Sequence, residues 1–222
     1  MRKLLALLTI VFLSLHASAQ YGVYAGLTGI KAFGIQGVFP GMNFGVEIPT
    51  RDEVTFYLRA SFTLKNKYDD SLSAEAISGT TSPQIIYVPT VFGSGMFNIE
   101  GGNRYYIGNG FDDYGFSAYG ATVYQLYTMG VNRKSTVEFD ESLYTIKDGA
   151  TAVDLAKRGR ILALGIGLNG GMQYNIGTTV FYFDCSATYN VFAFPSNYLA
   201  SQYNSYSPIN LSFNLGVRKT FF

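Results

Sequence analysis

Apolar and polar residues alternate with a period of two along most of the chain. The longest run puts Leu162, Leu164, Ile166, Leu168, Gly170, Met172, Tyr174 and Ile176 on one face, with Ala163, Gly165, Gly167, Asn169, Gly171, Gln173 and Asn175 between them. A strand of that length, apolar on one side and small or polar on the other, separates two different solvents. The pattern recurs over 42–48, 55–65, 181–189 and 209–218, and more weakly over 21–29, 97–107 and 116–126, which gives eight candidate strands.

The connections alternate as well. Short turns fall at 49–53, 108–113 and 176–178, and longer polar stretches at 30–41, 66–93, 129–158 and 193–208. If both chain ends lie on one side, every short turn shares that side and every long loop lies opposite, the arrangement of bacterial outer-membrane barrels. The expected fold is therefore all-β: an eight-stranded antiparallel transmembrane β-barrel with short periplasmic turns and long extracellular loops.

A water-soluble barrel has the same period, so the charges decide which face meets which solvent. Soluble barrels carry apolar side chains inside and charges outside. Here Glu47, Arg59, Glu100, Arg104, Asp184 and Arg218 all share the polar face of their strands. With the apolar face turned inward, rows of Phe, Leu and Ile would crowd a small lumen, and each basic residue at mid-membrane depth would cost roughly 2–4 kcal/mol. With it turned outward, three acids and three bases meet in an interior that side chains alone can fill, where they are expected to pair into a charge network.

Composition narrows the picture further. Charged residues make up 14% of the 222-residue chain, against roughly 25% in an ordinary soluble domain, while 18 Tyr, 18 Phe and 25 Gly are present. No run of about 20 apolar residues exists to form a spanning helix. A single Cys excludes a disulfide scaffold and multi-Cys metal sites, and a net charge of +1 offers no footprint for nucleic acid. Tyr105, Tyr106, Tyr114, Tyr124, Tyr127, Phe192 and Phe194 cluster near strand ends, as interfacial aromatic girdles do.

Met1, Arg2 and Lys3, the apolar stretch 4–15 and Ala17-Ser18-Ala19 read as a cleaved signal peptide over 1–19, leaving 20–222 as the barrel domain. Cleavage removes His16, the only histidine.

The Ala17-Ser18-Ala19-Gln20 signal end, the strand Phe97-Asn98-Ile99-Glu100-Gly101-Gly102-Asn103-Arg104-Tyr105-Tyr106 and the terminal Arg218-Lys219-Thr220-Phe221-Phe222 resemble the small outer-membrane barrels of the OmpX-like and PorT-like group. The resemblance implies that a C-terminal aromatic, Phe221 or Phe222, is read by the barrel-assembly machinery. It also implies outer-membrane lipid as the surroundings and an accessory role in secretion or assembly.

Enzymatic chemistry finds little support. Without histidine the exported chain lacks the usual general base and triad member. Asp69, Asp70 and Glu75, or Asp140 and Glu141, read as solvated loop charges, and no catalytic residue, metal site or cofactor is expected. Gly165-Ile166-Gly167-Leu168-Asn169-Gly170 matches a dinucleotide fingerprint but lies inside the longest strand, where that motif has no helix to open. Cys185 sits among the lipid-facing positions, and Asn210-Leu211-Ser212 is a chance glycosylation spacing within a strand.

The loop 129–158 is the foremost candidate surface. A short helix over 151–158, ended by Gly159, either caps the mouth, docks a partner or shields the rim. In 193–208, Tyr198, Tyr203 and Tyr206 among small polar residues suit recognition or an interface belt. The expected function is a non-enzymatic barrel whose loops or outer wall engage envelope protein partners. The alternative is an OmpW-like channel for small solutes or hydrophobic molecules.

Overall fold

The computed structural model describes residues 20–222 apart from 52, 109, 149, 150, 153–157, 198 and 201–206. The expected signal peptide and Tyr198, Tyr203 and Tyr206 lie outside the described residues. Eleven strands form among the described residues: β1 (Tyr21–Ala32), β2 (Phe39–Arg51), β3 (Val54–Thr63), β4 (Asn66–Ala76), β5 (Ile85–Gly108), β6 (Gly115–Ser135), β7 (Tyr144–Asp148), β8 (Thr151–Ala152), β9 (Arg158–Ile176), β10 (Thr179–Pro195) and β11 (Ile209–Phe221). No helix among them is long and apolar enough to cross a membrane.

Eight strands close a ring. β1, β2, β3, β5, β6, β9, β10 and β11 each pair antiparallel with the next, and β11 returns to β1 from Tyr21↔Phe221 to Ala32↔Asn210. Closure leaves the ring without a free edge, so its backbone groups can be satisfied inside a bilayer. At the short-turn end Gly177 takes φ 62° between β9 and β10, a left-handed conformation that glycine adopts without strain.

Two stretches expected as loops are largely strand. β5 is 24 residues long; its second half pairs with β3, and its first half runs beyond the ring to pair with β4. β6 follows β5 outward as far as Thr90↔Ser135, β4 carries β7, and β7 carries β8. The wall thus continues as a sheet, β6-β5-β4-β7-β8, on the long-loop side. The polarity of 66–93 and 129–158 marks a change of solvent, with the strand continuing through it. The helix expected over 151–158 is corrected at both ends: Thr151 and Ala152 pair with Asp148 and Lys147 as β8, and Arg158 opens β9. Residues 153–157 lie outside the described residues.

The outer wall is apolar. Leu27, Met42, Phe62, Leu168, Phe183 and Leu215 each leave about half of their surface uncovered, a continuous patch far beyond what a soluble monomer exposes. On β5 the outward row runs from Ile107 to Phe97, broken by Asn103, and on β9 the apolar row runs from Ile176 to Leu162. Each row covers at least the roughly 9–11 residues a tilted strand needs to span the hydrocarbon core. The inner face is narrow and crowded. A Cβ on Gly45 would stand 2.3 Å from the Tyr24 ring, and one on Gly171 would stand 2.5 Å from Tyr119. Glycine at these inward positions makes room for the largest lumen side chains.

Candidate functional site

Three layers fill the lumen. In the middle lie Glu47, Arg59, Glu100, Arg104, Asp184 and Arg218, none more than 3% exposed. Inward parity on β2, β3, β5, β10 and β11 points them at one another. Arg59 donates from Nε to Glu100 Oε1 at 2.6 Å and from Nη1 to Asp184 Oδ2 at 2.8 Å. Arg104 bridges Glu47 at 2.7 Å and Asp184 at 3.2 Å, and Arg218 reaches Glu47 at 3.0 Å. Asp184 is the hub: it also accepts from Tyr119 at 3.1 Å, Asn169 at 3.0 Å and Asn214 at 2.8 Å. Glu47 accepts from Thr55 at 2.5 Å and Tyr106 at 2.6 Å. Arg104 lies 4.5 Å from the Tyr57 ring and 4.6 Å from the Tyr119 ring. Each buried acid therefore meets at least one guanidinium, which offsets its desolvation.

Toward the short turns, Phe111 folds back from the β5–β6 connection and plugs the lumen beside Tyr106 and Tyr119. Its ring stands 3.9 Å from the Arg218 guanidinium carbon. Its carbonyl accepts from Arg218, from Gln173 at 3.4 Å and from Asn175 at 3.2 Å. Sequence reasoning had no signal for this plug, because a lone Phe in a polar turn looks incidental.

Toward the long loops, Ile30, Ile35, Phe39, Phe92, Met96, Met129, Val131, Ile161 and Leu199 pack into an apolar cluster inside the mouth. Its signal was present in part: past residue 128 the outward positions of β6 turn polar while Met129 and Val131 still point inward, ahead of the buried Arg133. Two tyrosines expected in the girdles belong inside. Tyr106 and Tyr127 are buried in the lumen, while Tyr105, Tyr114, Tyr124, Phe192 and Phe194 do face outward.

The sheet beyond the ring has its own small core of Leu72, Ala74, Val88 and Ile146, with Ile86, Phe139 and Tyr144 against it. The loop acids are mostly taken up structurally. Asp70 pairs with Arg133 at 3.2 Å and Glu75 with Lys147 at 2.5 Å. Ser142 donates twice to Asp140, through its hydroxyl and its backbone N–H, holding that carboxyl below its usual range. Among the described residues no three Asp, Glu or Cys side chains gather as metal ligands. Phe221 ends β11 on the outer wall, its ring 5.2 Å from Tyr21, and Phe222 follows it fully outside the strand.

No family model and no curated protein matches the chain. Solved structures do. Neisserial surface protein A is 12% identical, with a TM-score of 0.50 over 91% of this chain and 97% of its own. A major outer membrane protein from Thermus thermophilus is 9% identical, with a TM-score of 0.50 over 90% of this chain and 99% of its own. The fold is that of the small outer-membrane β-barrels. At such low identity the likeness carries the fold alone. The surroundings of this barrel follow from its own wall, apolar over one bilayer thickness and closed without an edge around a polar interior, as in outer-membrane barrels.

Proposed function

We propose that this outer-membrane barrel is a non-enzymatic anchor that holds the β4–β8 sheet beyond the membrane for protein partners, as an accessory of an envelope machine or a surface-interaction protein. The observation that carries this reading is the filled lumen. Aromatic plug, charge network and apolar cluster follow one another along the barrel axis, so the interior works as a rigid core and the external sheet is the part free to recognise something. Rigid presentation lowers the ordering cost of association. In the same proposal Phe221, on the lipid-facing end of β11, is the aromatic read during assembly, with Phe222 beyond it.

The competing reading, a channel for small solutes or hydrophobic molecules, requires a path through these layers. Purified protein in planar bilayers distinguishes the two. Silence is the expected result, together with specific protein capture from native membranes that depends on 66–93 and 129–152; steady unitary currents would overturn the anchor reading.

A further inference from the structure

The outer wall changes character just above the apolar band. Across β3, β5, β6 and β9 the last apolar row is Phe62, Phe97, Thr128 and Leu162. The next outward row is Lys65, Gly95, Gly130 and Arg160: Gly95 pairs with Gly130, Gly130 with Arg160, and Lys65 lies 3.5 Å from where a Gly95 Cβ would stand. The row above repeats the layout with Lys67, Gly93, Asn132 and Arg158. Each row has a cation at either end; between them the first row has only glycine, whereas in the second the Asn132 side chain lies over Gly93.

We propose that this groove holds the phosphate-bearing headgroup of an outer-leaflet lipid, its acyl chains lying down the apolar wall. Four observations support the assignment. The groove encloses about 760 Å³, and its lining includes Lys65, Arg158 and Arg160 and no Asp or Glu, with Lys67 just beyond it. None of the four cations has an ion pair among the described residues, whereas Arg133 and Lys147 on the same external sheet each have an acid. Four positive charges on one patch repel one another, and a bound anion removes that cost. Strands about 4.8 Å apart put the end positions of a row about 14 Å apart, so a Lys and an Arg reaching inward leave a gap of phosphate size.

Position selects a lipid over a free anion. The groove opens directly onto the apolar row of Phe62, Phe97 and Leu162, at the depth where headgroups sit. Nothing lies within 4 Å of where a Gly130 Cβ would stand, so the floor is open to a ligand. Basic residues at that depth attract anionic headgroups, each contributing appreciably.

The test uses the full barrel refolded in neutral detergent, with diphosphoryl lipid A as probe and retained lipid read by native mass spectrometry. Folding of each variant is checked by heat-dependent gel mobility. The barrel is expected to retain the probe, and the same lipid stripped of its phosphates is expected to bind at least about tenfold more weakly. Arg158→Gln with Arg160→Gln should weaken retention by about tenfold or more. Gly130→Glu, which sets a carboxylate in the open floor, should abolish it, and Lys219→Gln at the opposite rim should leave it unchanged. Equal retention of the dephosphorylated lipid, or by both groove variants, would overturn the proposal. Displacement of lipid A by millimolar inorganic phosphate would also overturn it, because the site would then be one for free anions.

Discussion

Asp184 shows how much a single position carries. One carboxylate on β10 receives two arginines, a tyrosine and two asparagines from five other strands, tying opposite walls of the barrel together. Removing one guanidinium should therefore cost more than removing the whole pair it belongs to. Arg59→Met strands Glu100 without a counter-charge and is expected to lower stability by about 3–5 kcal/mol, read by urea unfolding from lipid vesicles. Adding Glu100→Gln should recover part of the loss, and a double variant worse than the single one would contradict the pairing. At this scale the sequence was half legible. Strand parity alone put the six charges on one face, whereas which acid meets which base depends on the register between strands far apart in the chain. Tyr106 was misread for a related reason: proximity to a strand end suggested a girdle, but its parity is that of Arg104, and parity prevailed.

At the scale of the element, the informative signal is where the outward face turns polar. On β6 that face carries Tyr124 and Leu126 and then Gly130, Asn132 and Lys134, while the inward face stays mixed, with Val123 and Gln125 below and Val131 and Arg133 above. The strand has left oil for water without ending, and that is why 66–93 and 129–158 read as loops. A polar stretch that keeps its period of two is a strand in another solvent. That change of the outward face also locates the membrane boundary. Leu168→Arg and Leu215→Arg, at mid-band, are each expected to cost about 2–4 kcal/mol in bilayers, whereas Thr128→Arg at the boundary should cost no more than about 1 kcal/mol. Equal costs at all three would place the boundary elsewhere. Beyond it, β7 is held to β4 through the small cluster around Ile146. Ile146→Asp buries an unpaired charge there and should raise amide exchange over Ser73–Ala76 while the ring strands stay protected. Loss of protection throughout the ring would show the external sheet and the barrel to be one cooperative unit.

At the scale of the molecule, the lumen is sealed in series, and each seal uses different chemistry: an aromatic plug at the short-turn end, paired charges in the middle, aliphatic packing at the mouth. Series sealing separates stability from permeability. Phe111→Ala removes a side chain that is 2% exposed, together with the ring that covers Arg218. Large-to-small changes of this kind cost about 3–5 kcal/mol. Conductance should nevertheless stay at zero, because Arg59, Arg104, Asp184 and Glu100 still span the barrel above the cavity and the cluster around Met129 and Ile161 still closes the mouth. Urea unfolding and planar-bilayer recording on the same preparation check both halves of the statement. A variant that is destabilised and silent fits a barrel built as a solid post, whereas one that conducts would mean that the Phe111 plug alone shuts a continuous water path and that the barrel is a gated pore.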